Sequence, residues 1–262
     1  MGLLSNRIGR ASLKPGDHIY SWRTAYVYAH HGIFVGENKV VHFTRGRGEE
    51  VGTGTVLDLL LLSSGPNRSQ TPCPTCSVQL SDSSGVVSSC LDCFLAGGVL
   101  YRFEYAVNTA LFLAKARGGT CTLAVSDEAD AVVKRASYLL SNGGFRCYNV
   151  FKNNCEDFAI YCKTGLLVAE QGVVGQSGQA ISIIGGPLAA VMSTPFRLLT
   201  TNLYGMAATA VGVYCASRYI ADIGNRLDVV KVEVEDLTAG LTTGRVQVSE
   251  VMENRLMLPA QS

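Results

Sequence analysis

The sequence predicts an α+β fold in which an antiparallel sheet packs against a helix that begins with a cysteine. Two apolar, β-rich runs at 26–35 and 39–43, separated by a turn-like Gly-Glu-Asn sequence, predict a hairpin. A helical pattern at 159–163 follows Cys155 and ends at Gly165. With 262 residues, 47% apolar residues and 16% charged residues, the chain can bury one main core with additions.

The first residues predict a cytosolic protein, because they show neither a long apolar stretch nor a signal cleavage site. Gly2 after the initiator methionine suggests N-myristoylation, although Asn6 stands where the acylation motif prefers Ser or Thr. Arg7, Arg10 and Lys14 would supply the basic second signal that anchoring at a membrane surface requires. The alternative is an exposed basic start without lipid.

Three of the four histidines fall in the predicted hairpin. Its geometry should bring His30 or His31 close to His42. A histidine pair across two strands is more often structural than catalytic. Together with a cysteine-headed helix on the same sheet, it forms a Cys-His-His arrangement, in which one imidazole activates the thiol and the other orients the first.

Cys155 is the candidate nucleophile. It stands at the start of a helix, where unsatisfied backbone N–H groups and the helix dipole favour a thiolate and can receive an oxyanion. The alternative is a small buried apolar residue that follows the helix cap Asn154.

Four of the nine cysteines predict a metal site. Cys73 and Cys76 form one CxxC turn, Cys90 and Cys93 form another, and thirteen residues separate the two turns. Each turn presents two sulfurs, so the four suit tetrahedral Zn²⁺ and leave no open position for water. We expect a structural zinc-ribbon-like insertion at residues 63–98. The alternatives are four reduced structural cysteines or a redox pair, and other thiophilic ions would also suit the ligands.

Local patterns predict the elements between the insertion and Cys155. An apolar strand is expected at 99–105, a short helix at 108–117 and a helix at 131–141, whose apolar face contains Val132, Ala136, Leu139 and Leu140. A strand at 147–150 should then deliver Cys155. These segments complete the first predicted domain, residues 1–171.

The second predicted region, residues 172–262, is apolar and mainly helical. Residues 198–216 carry no charge over nineteen positions, which reaches the length of a membrane span, but polar residues and glycines lower their hydropathy. We expect membrane association or a buried helical hairpin. Residues 228–236 alternate Val with Lys and Glu, which suits a half-exposed strand or a solvated helix.

Net charge gives no indication of a nucleic-acid partner. The chain carries a formal charge of +1 and has a pI near 7.5, so it has no overall basic surface.

Three segments together resemble the lecithin:retinol acyltransferase-like (NC-domain) thiol family, a circularly permuted papain-like fold. They are HHGIFVG at 30–36, VVHF at 40–43 and NCEDF at 154–158. The family has a second histidine twelve residues after its base, which places the base on His30 and leaves His31 as an alternative. The resemblance covers about residues 12–167, and the paired CxxC insertion is similar to plant members of the lead-sensitive type.

The resemblance implies a thiol acyltransferase or phospholipase A that acts on glycerophospholipids without a nucleotide or redox cofactor. Cys155 would be the nucleophile, His30 the base and His42 the residue that orients it. Asp157 stands where the best-known members carry histidine, and its charge would oppose thiolate formation. A non-catalytic, zinc-stabilised interaction or metal-stress-response protein is therefore the second hypothesis, and a peptidase or amidase is the third.

Overall fold

A computed structural model describes residues 6–23, 28–44, 73–76, 85–115, 117–142, 144–145, 153–168, 177–178 and 203–242. The predictions for Gly2 and for a strand at 147–150 lie outside these residues. The described residues form the predicted α+β architecture, with an antiparallel sheet and six α-helices.

The central sheet has five antiparallel strands in the order β4-β3-β2-β1-β5. The strands are β1 His18–Trp22, β2 Ala29–Gly36, β3 Lys39–Thr44, β4 Gly85–Cys90 and β5 Tyr101–Arg102. Glu37 and Asn38 join β2 to β3 with φ values of 49° and 60°. Two consecutive positive φ values match the twist of the flanking strands, so the predicted hairpin is confirmed.

Six helices and a second, two-stranded sheet surround the central sheet. The helices are α1 Leu91–Leu95, α2 Thr109–Ala114, α3 Ala129–Ser141, α4 Cys155–Thr164, α5 Leu203–Ala221 and α6 Val234–Thr242. The small sheet pairs β6 Leu166–Val168 with β7 Val229–Lys231. The half-exposed β7 and the start of α6 occupy the alternating segment at 228–236.

The two faces of the central sheet are covered by different helices. One face packs against α3 and α4, through Ile33, Val41, Phe43, Val132, Leu139 and Phe158. The other face packs against α1, through Ile19, Phe34, Val40, Leu91, Phe94 and Leu95. Because side chains alternate along a strand, the position of a residue in β2 decides which helix it meets.

Two local predictions were only partly right. The strand expected at 99–105 contributes only Tyr101–Arg102 to the sheet. The helix expected at 108–117 is α2, which starts after the Asn108 cap and ends at Ala114. Asn108 Oδ1 accepts the Leu111 N–H at 2.8 Å, which fixes the start of the helix.

The segment predicted as an insertion is partly built into the main sheet. Strand β4 pairs with β3 from Lys39↔Cys90 to Thr44↔Gly85, and α1 follows β4 directly. Gly85 is the first residue of β4, which is the outermost strand of the sheet among the described residues. Backbone hydrogen bonds to β3 explain why this segment joins the sheet, because they provide partners for the N–H and C=O groups along one edge of β4.

Helix α5 lies over α2. Arg218 of α5 is buried, donates to the Lys115 carbonyl at 2.6 Å and lies 4.8 Å from the centre of the Phe112 ring. Other side chains of α5 are exposed, including Tyr204 at 83%. Within the described part of the chain, no helix combines the length and the hydropathy that crossing a membrane requires.

Candidate active site and metal centre

Cys155 is the first residue of α4, and a complete capping box holds this end of the helix. The Asn154 side chain accepts the N–H groups of Glu156 at 2.8 Å and Asp157 at 3.3 Å. The Asp157 carboxylate accepts the Asn154 N–H in return at 2.9 Å. Two of the amides at the helix start are therefore engaged by the cap, and the cap fixes the position of Cys155.

The Cys155 thiol is fully enclosed, with 0% exposure. Its sulfur lies 2.7 Å from the Tyr28 hydroxyl and 3.8 Å from the Ala29 carbonyl oxygen, to which it donates. Burial raises the pKa of Cys155 to about 11, while hydrogen bonds from the Tyr28 hydroxyl and the His31 backbone act in the opposite direction. At neutral pH this group is therefore a thiol.

The negative charge of Asp157 disfavours the thiolate form of Cys155, as the sequence predicted. The carboxylates of Glu156 and Asp157 both raise the pKa of Cys155, although burial is the largest cause. Asp157 thus has two effects. It completes the capping box, and it adds a negative charge close to the sulfur.

His30 and His42, together termed the histidine pair, meet as the hairpin predicted. His30 Nε2 lies 3.0 Å from His42 Nδ1, and His42 Nε2 lies 2.9 Å from Ser89 Oγ. Burial lowers the pKa of both imidazoles, that of His42 to about 3. Both rings are therefore neutral at physiological pH, and each carries one hydrogen and one lone pair.

The histidine pair is not joined to the thiol. His30 points to the face of β2 that packs on α1, whereas α4 packs on the other face. Among the described residues, the hydrogen-bond partners of Cys155 are Tyr28 and the backbone of β2, and neither imidazole is hydrogen-bonded to its sulfur. The structure thus brings His30 and His42 together, and the Arg23 guanidinium lies within electrostatic range of both imidazoles and of Cys155.

A second histidine network lies on the α4 face and was not predicted. His31 Nδ1 lies 2.9 Å from His18 Nε2, and His18 Nδ1 lies 2.8 Å from the Tyr105 hydroxyl. Within the described residues, His31 Nε2 has no hydrogen-bond partner. His31 therefore pairs with His18 rather than with His42. The alternation of side chains along β2 indicates that His30 and His31 face opposite ways, but not which residue His31 meets.

Arg23 and Tyr28 were also missed. The Arg23 guanidinium donates to the Phe94 and Leu95 carbonyls at the end of α1, and burial lowers its pKa. Tyr28 and Cys155 counteract this shift through their charges, which places the guanidinium within electrostatic range of the thiol. Tyr28 is two residues before His30, and residues two apart in a strand lie on the same face, so this spacing is a sequence signal for Tyr28. No sequence signal identifies Arg23.

Four cysteines come together as predicted, and we term them the cysteine cluster. The sulfurs of Cys73, Cys76, Cys90 and Cys93 all lie within 4.8 Å of one another. The Cys73–Cys90 and Cys76–Cys93 sulfur distances are 4.0 and 3.8 Å. A tetrahedron with zinc–sulfur bonds of about 2.3 Å has edges of about 3.8 Å. The cluster thus has the ligand type and spacing of a four-thiolate metal site.

Comparison with known proteins agrees with these features. A family model described as lecithin retinol acyltransferase matches residues 11–168. The chain is 71% identical to Protein LEAD-SENSITIVE 1 of Arabidopsis thaliana over 262 residues, which cover 100% of both chains. The family match spans the positions of Cys155, the histidine pair and the cysteine cluster.

Proposed function

The chain belongs to the lecithin retinol acyltransferase family, and on this premise we propose that it is a thiol acyltransferase or phospholipase A acting on glycerophospholipids. The observation that supports this most strongly is Cys155 itself, held at a capped helix start beside the Tyr28 hydroxyl. A nucleophile, a hydrogen-bond donor and a pair of neutral imidazoles are the components of acyl transfer through a covalent intermediate.

In the proposed reaction, His30 removes the proton of Cys155, and the sulfur forms a bond to the ester carbonyl carbon of the lipid. Tyr28 donates a hydrogen bond to the developing oxyanion. The carbon–oxygen ester bond then breaks, and the proton on His30 passes to the departing lysophospholipid oxygen. Water, an alcohol or an amine attacks the thioester carbon and gives its proton to His30. The carbon–sulfur bond breaks, and His30 passes that proton to the departing sulfur, which regenerates the thiol.

The buried thiol sets a requirement on this reaction. Cys155 has 0% exposure, and its sulfur is hydrogen-bonded to the Tyr28 hydroxyl rather than to His30. The sulfur must therefore exchange the Tyr28 hydroxyl for an imidazole nitrogen when the lipid binds. Transfer of a buried thiol proton is favourable only when the base comes within about 3 Å of the group it deprotonates. Lipid must therefore be present in any test of activity.

Mass spectrometry of the intact protein tests the proposal. Incubation with phosphatidylcholine vesicles should add one acyl chain to the wild-type protein, and peptide mapping should locate it on Cys155. Cys155→Ser should abolish the thioester. Cys162→Ser is the matched control, because Cys162 is a second fully buried cysteine of α4, and it should retain the adduct. Absence of both the adduct and lipid turnover in wild-type protein contradicts the proposal.

A non-catalytic role is the second candidate, and one observation favours it. The pKa of Cys155 is raised to about 11, and neither imidazole of the histidine pair is hydrogen-bonded to the sulfur among the described residues, which favours an unreactive core cysteine. In that case the protein would be an interaction or metal-stress-response module that retains the fold. A Cys155→Ala variant that keeps the full cellular role, together with a wild type that forms no adduct, would support this candidate.

We also propose that the cysteine cluster binds one structural Zn²⁺ ion. Its sulfur spacing fits a tetrahedral ion, and four thiolates leave no position for a catalytic water. Native mass spectrometry should find one zinc per chain, and Cys76→Ser should lose it. A metal-free wild type purified under reducing conditions with zinc present would contradict the proposal.

A further inference from the structure

We infer that the cysteine cluster controls the histidine pair: metal binding fixes Ser89 and Phe94, and Ser89 in turn sets the hydrogen-bonding state of His42. This inference rests on the proposed function only for its catalytic consequence. It assigns Ser89 as a positioning residue, and it gives the metal site a role beyond holding the segment together.

Ser89 is placed by the residue that follows it. It is 1% exposed, pairs with Val40 across the sheet, and directs its hydroxyl to His42 Nε2 at 2.9 Å. The next residue, Cys90, is both the last residue of β4 and the N-terminal cap of α1. A metal bound by Cys90 therefore holds the backbone one residue away from the hydroxyl that contacts His42.

The hydroxyl of Ser89 decides which nitrogen of His30 is free to act as a base. If Ser89 donates to His42 Nε2, His42 carries its hydrogen on Nδ1 and donates it to His30 Nε2, so His30 keeps its own hydrogen on Nδ1. If Ser89 accepts from His42 Nε2, His42 Nδ1 accepts from His30 Nε2, and His30 Nδ1 has a free lone pair. Only the second arrangement leaves His30 able to take a proton.

Phe94 is the second link between the metal ligands and the histidine pair. It follows Cys93, and its ring centre lies 5.3 Å from that of His30 and 5.5 Å from that of His42. The packing is tight, because a Cβ on Gly32 would lie 2.9 Å from Phe94 Cε2 and 3.1 Å from His42 Cβ. Movement of α1 would therefore change the surroundings of both imidazoles.

Helix α1 depends on an external restraint. It has only five residues, and a single helical turn is not stable on its own in water. Cys90 is the N-terminal cap of α1, and Cys93 lies in its first turn. A metal bound by both would connect this end of α1 to the CxxC turn formed by Cys73 and Cys76. Metal occupancy thus fixes the helix that covers the histidine pair.

Nuclear magnetic resonance of the histidine side chains tests this coupling. The full chain, loaded with zinc and labelled with ¹⁵N-histidine, should give ring-nitrogen signals that report the tautomer of each imidazole. Ser89→Ala should shift the signals of His42 and His30. Ser88→Ala is the matched control, because Ser88 pairs with Val41 and lies on the other face of β4, so it should leave the pair unchanged.

Removal of zinc by a chelator is the second arm. The signals of His30 and His42 should broaden or shift, whereas those of His18 and His31 on the opposite face should stay, which shows that the fold persists. Unchanged signals of the pair after metal loss would overturn the inference. If chelation unfolds the chain, the signals of all four histidines will change. The test then rests on the zinc-loaded Ser89→Ala protein, and signals of His30 and His42 like those of wild type would overturn the inference.

Lipid turnover separates this inference from the proposed function. Loss of one hydrogen bond between neutral groups changes a rate by up to about tenfold, so Ser89→Ala should lower turnover by up to about tenfold and Ser88→Ala should not. A wild type without turnover whose pair still responds to zinc refutes the enzymatic function and supports the coupling. If wild-type protein shows lipid turnover, but the signals of the histidine pair change neither on zinc removal nor in Ser89→Ala, the function is supported and the coupling is refuted.

Discussion

At the scale of single residues, burial and the helix dipole act on Cys155 in opposite directions. A helix start stabilises a negative charge by about 0.3 to 1 kcal/mol at an exposed site. Removal of the sulfur from water costs more than that, because the pKa of Cys155 is about 11 despite its position at the head of α4. Reactivity of this thiol therefore depends first on its access to solvent or substrate, and second on the charges around it.

Asp157 offers a direct test of the second factor. Asp157→Asn keeps a side-chain oxygen that can accept the Asn154 N–H, but it removes the negative charge that raises the pKa of Cys155. We expect alkylation of Cys155 by iodoacetamide at pH 8 to become about two- to fivefold faster, because a change of less than one pKa unit corresponds to less than about 1.4 kcal/mol. Peptide mapping after timed labelling measures the rate.

The control for this variant is Asp130→Asn, which changes an exposed carboxylate in the first turn of α3. It should leave the labelling rate of Cys155 unchanged. If Asp157→Asn labels at the wild-type rate or more slowly while its unfolding midpoint is unchanged, the charge of Asp157 does not limit the thiol.

At the scale of elements, the sequence was informative where the signal is local. The β2–β3 hairpin follows from two apolar runs around a short turn, and α4 follows from an Asn cap and a terminal glycine. Gly165 ends α4 at a φ of 67°, a conformation that glycine adopts without strain. Such signals involve residues close in sequence, so one chain is enough to read them.

Contacts between distant elements could not be predicted in the same way. Alternation along β2 and β3 shows that His30 shares a face with Phe34 and that His42 shares one with Val40. It does not show which face α4 will cover, so the Tyr28 hydroxyl as hydrogen-bond partner of Cys155 was not foreseen. The pairing of β4 with β3 was also missed, because the CxxC spacing describes the metal site and carries no information about the strand beside it.

At the scale of the whole molecule, buried histidines link the fold to pH. His18, His31 and His42 are exposed by 1%, 0% and 2%. Burial lowers the pKa of each of them, to about 3 for His31 and His42. His18 and His31 belong to one network and His42 to the other, so both faces of the central sheet contain imidazoles that the native state keeps neutral.

Stability should therefore fall as the pH drops below about 6.5, the ordinary pKa of histidine. Below that value the unfolded chain binds protons that the native state does not, so the free energy of unfolding decreases with falling pH and continues to do so down to about pH 3 for His31 and His42. Each such histidine contributes a slope of up to about 1.4 kcal/mol per pH unit. Asp127, whose pKa is lowered from 3.8, loses its contribution only at more acidic pH. Burial raises the pKa of Asp222, which therefore binds a proton in the native state before it does in the unfolded chain and acts against the slope from the histidines.

Urea unfolding of the zinc-loaded protein between pH 7 and 5 measures this slope. Wild type should lose stability steadily over the range, and His31→Gln should show a shallower dependence because one buried imidazole is gone, even if its stability at pH 7 is lower. His31 suits this variant because no described residue forms a hydrogen bond with its Nε2. A free energy of unfolding that stays constant or rises between pH 7 and 5 would mean that the histidines become protonated in the folded protein, and that the two networks open to solvent without global unfolding.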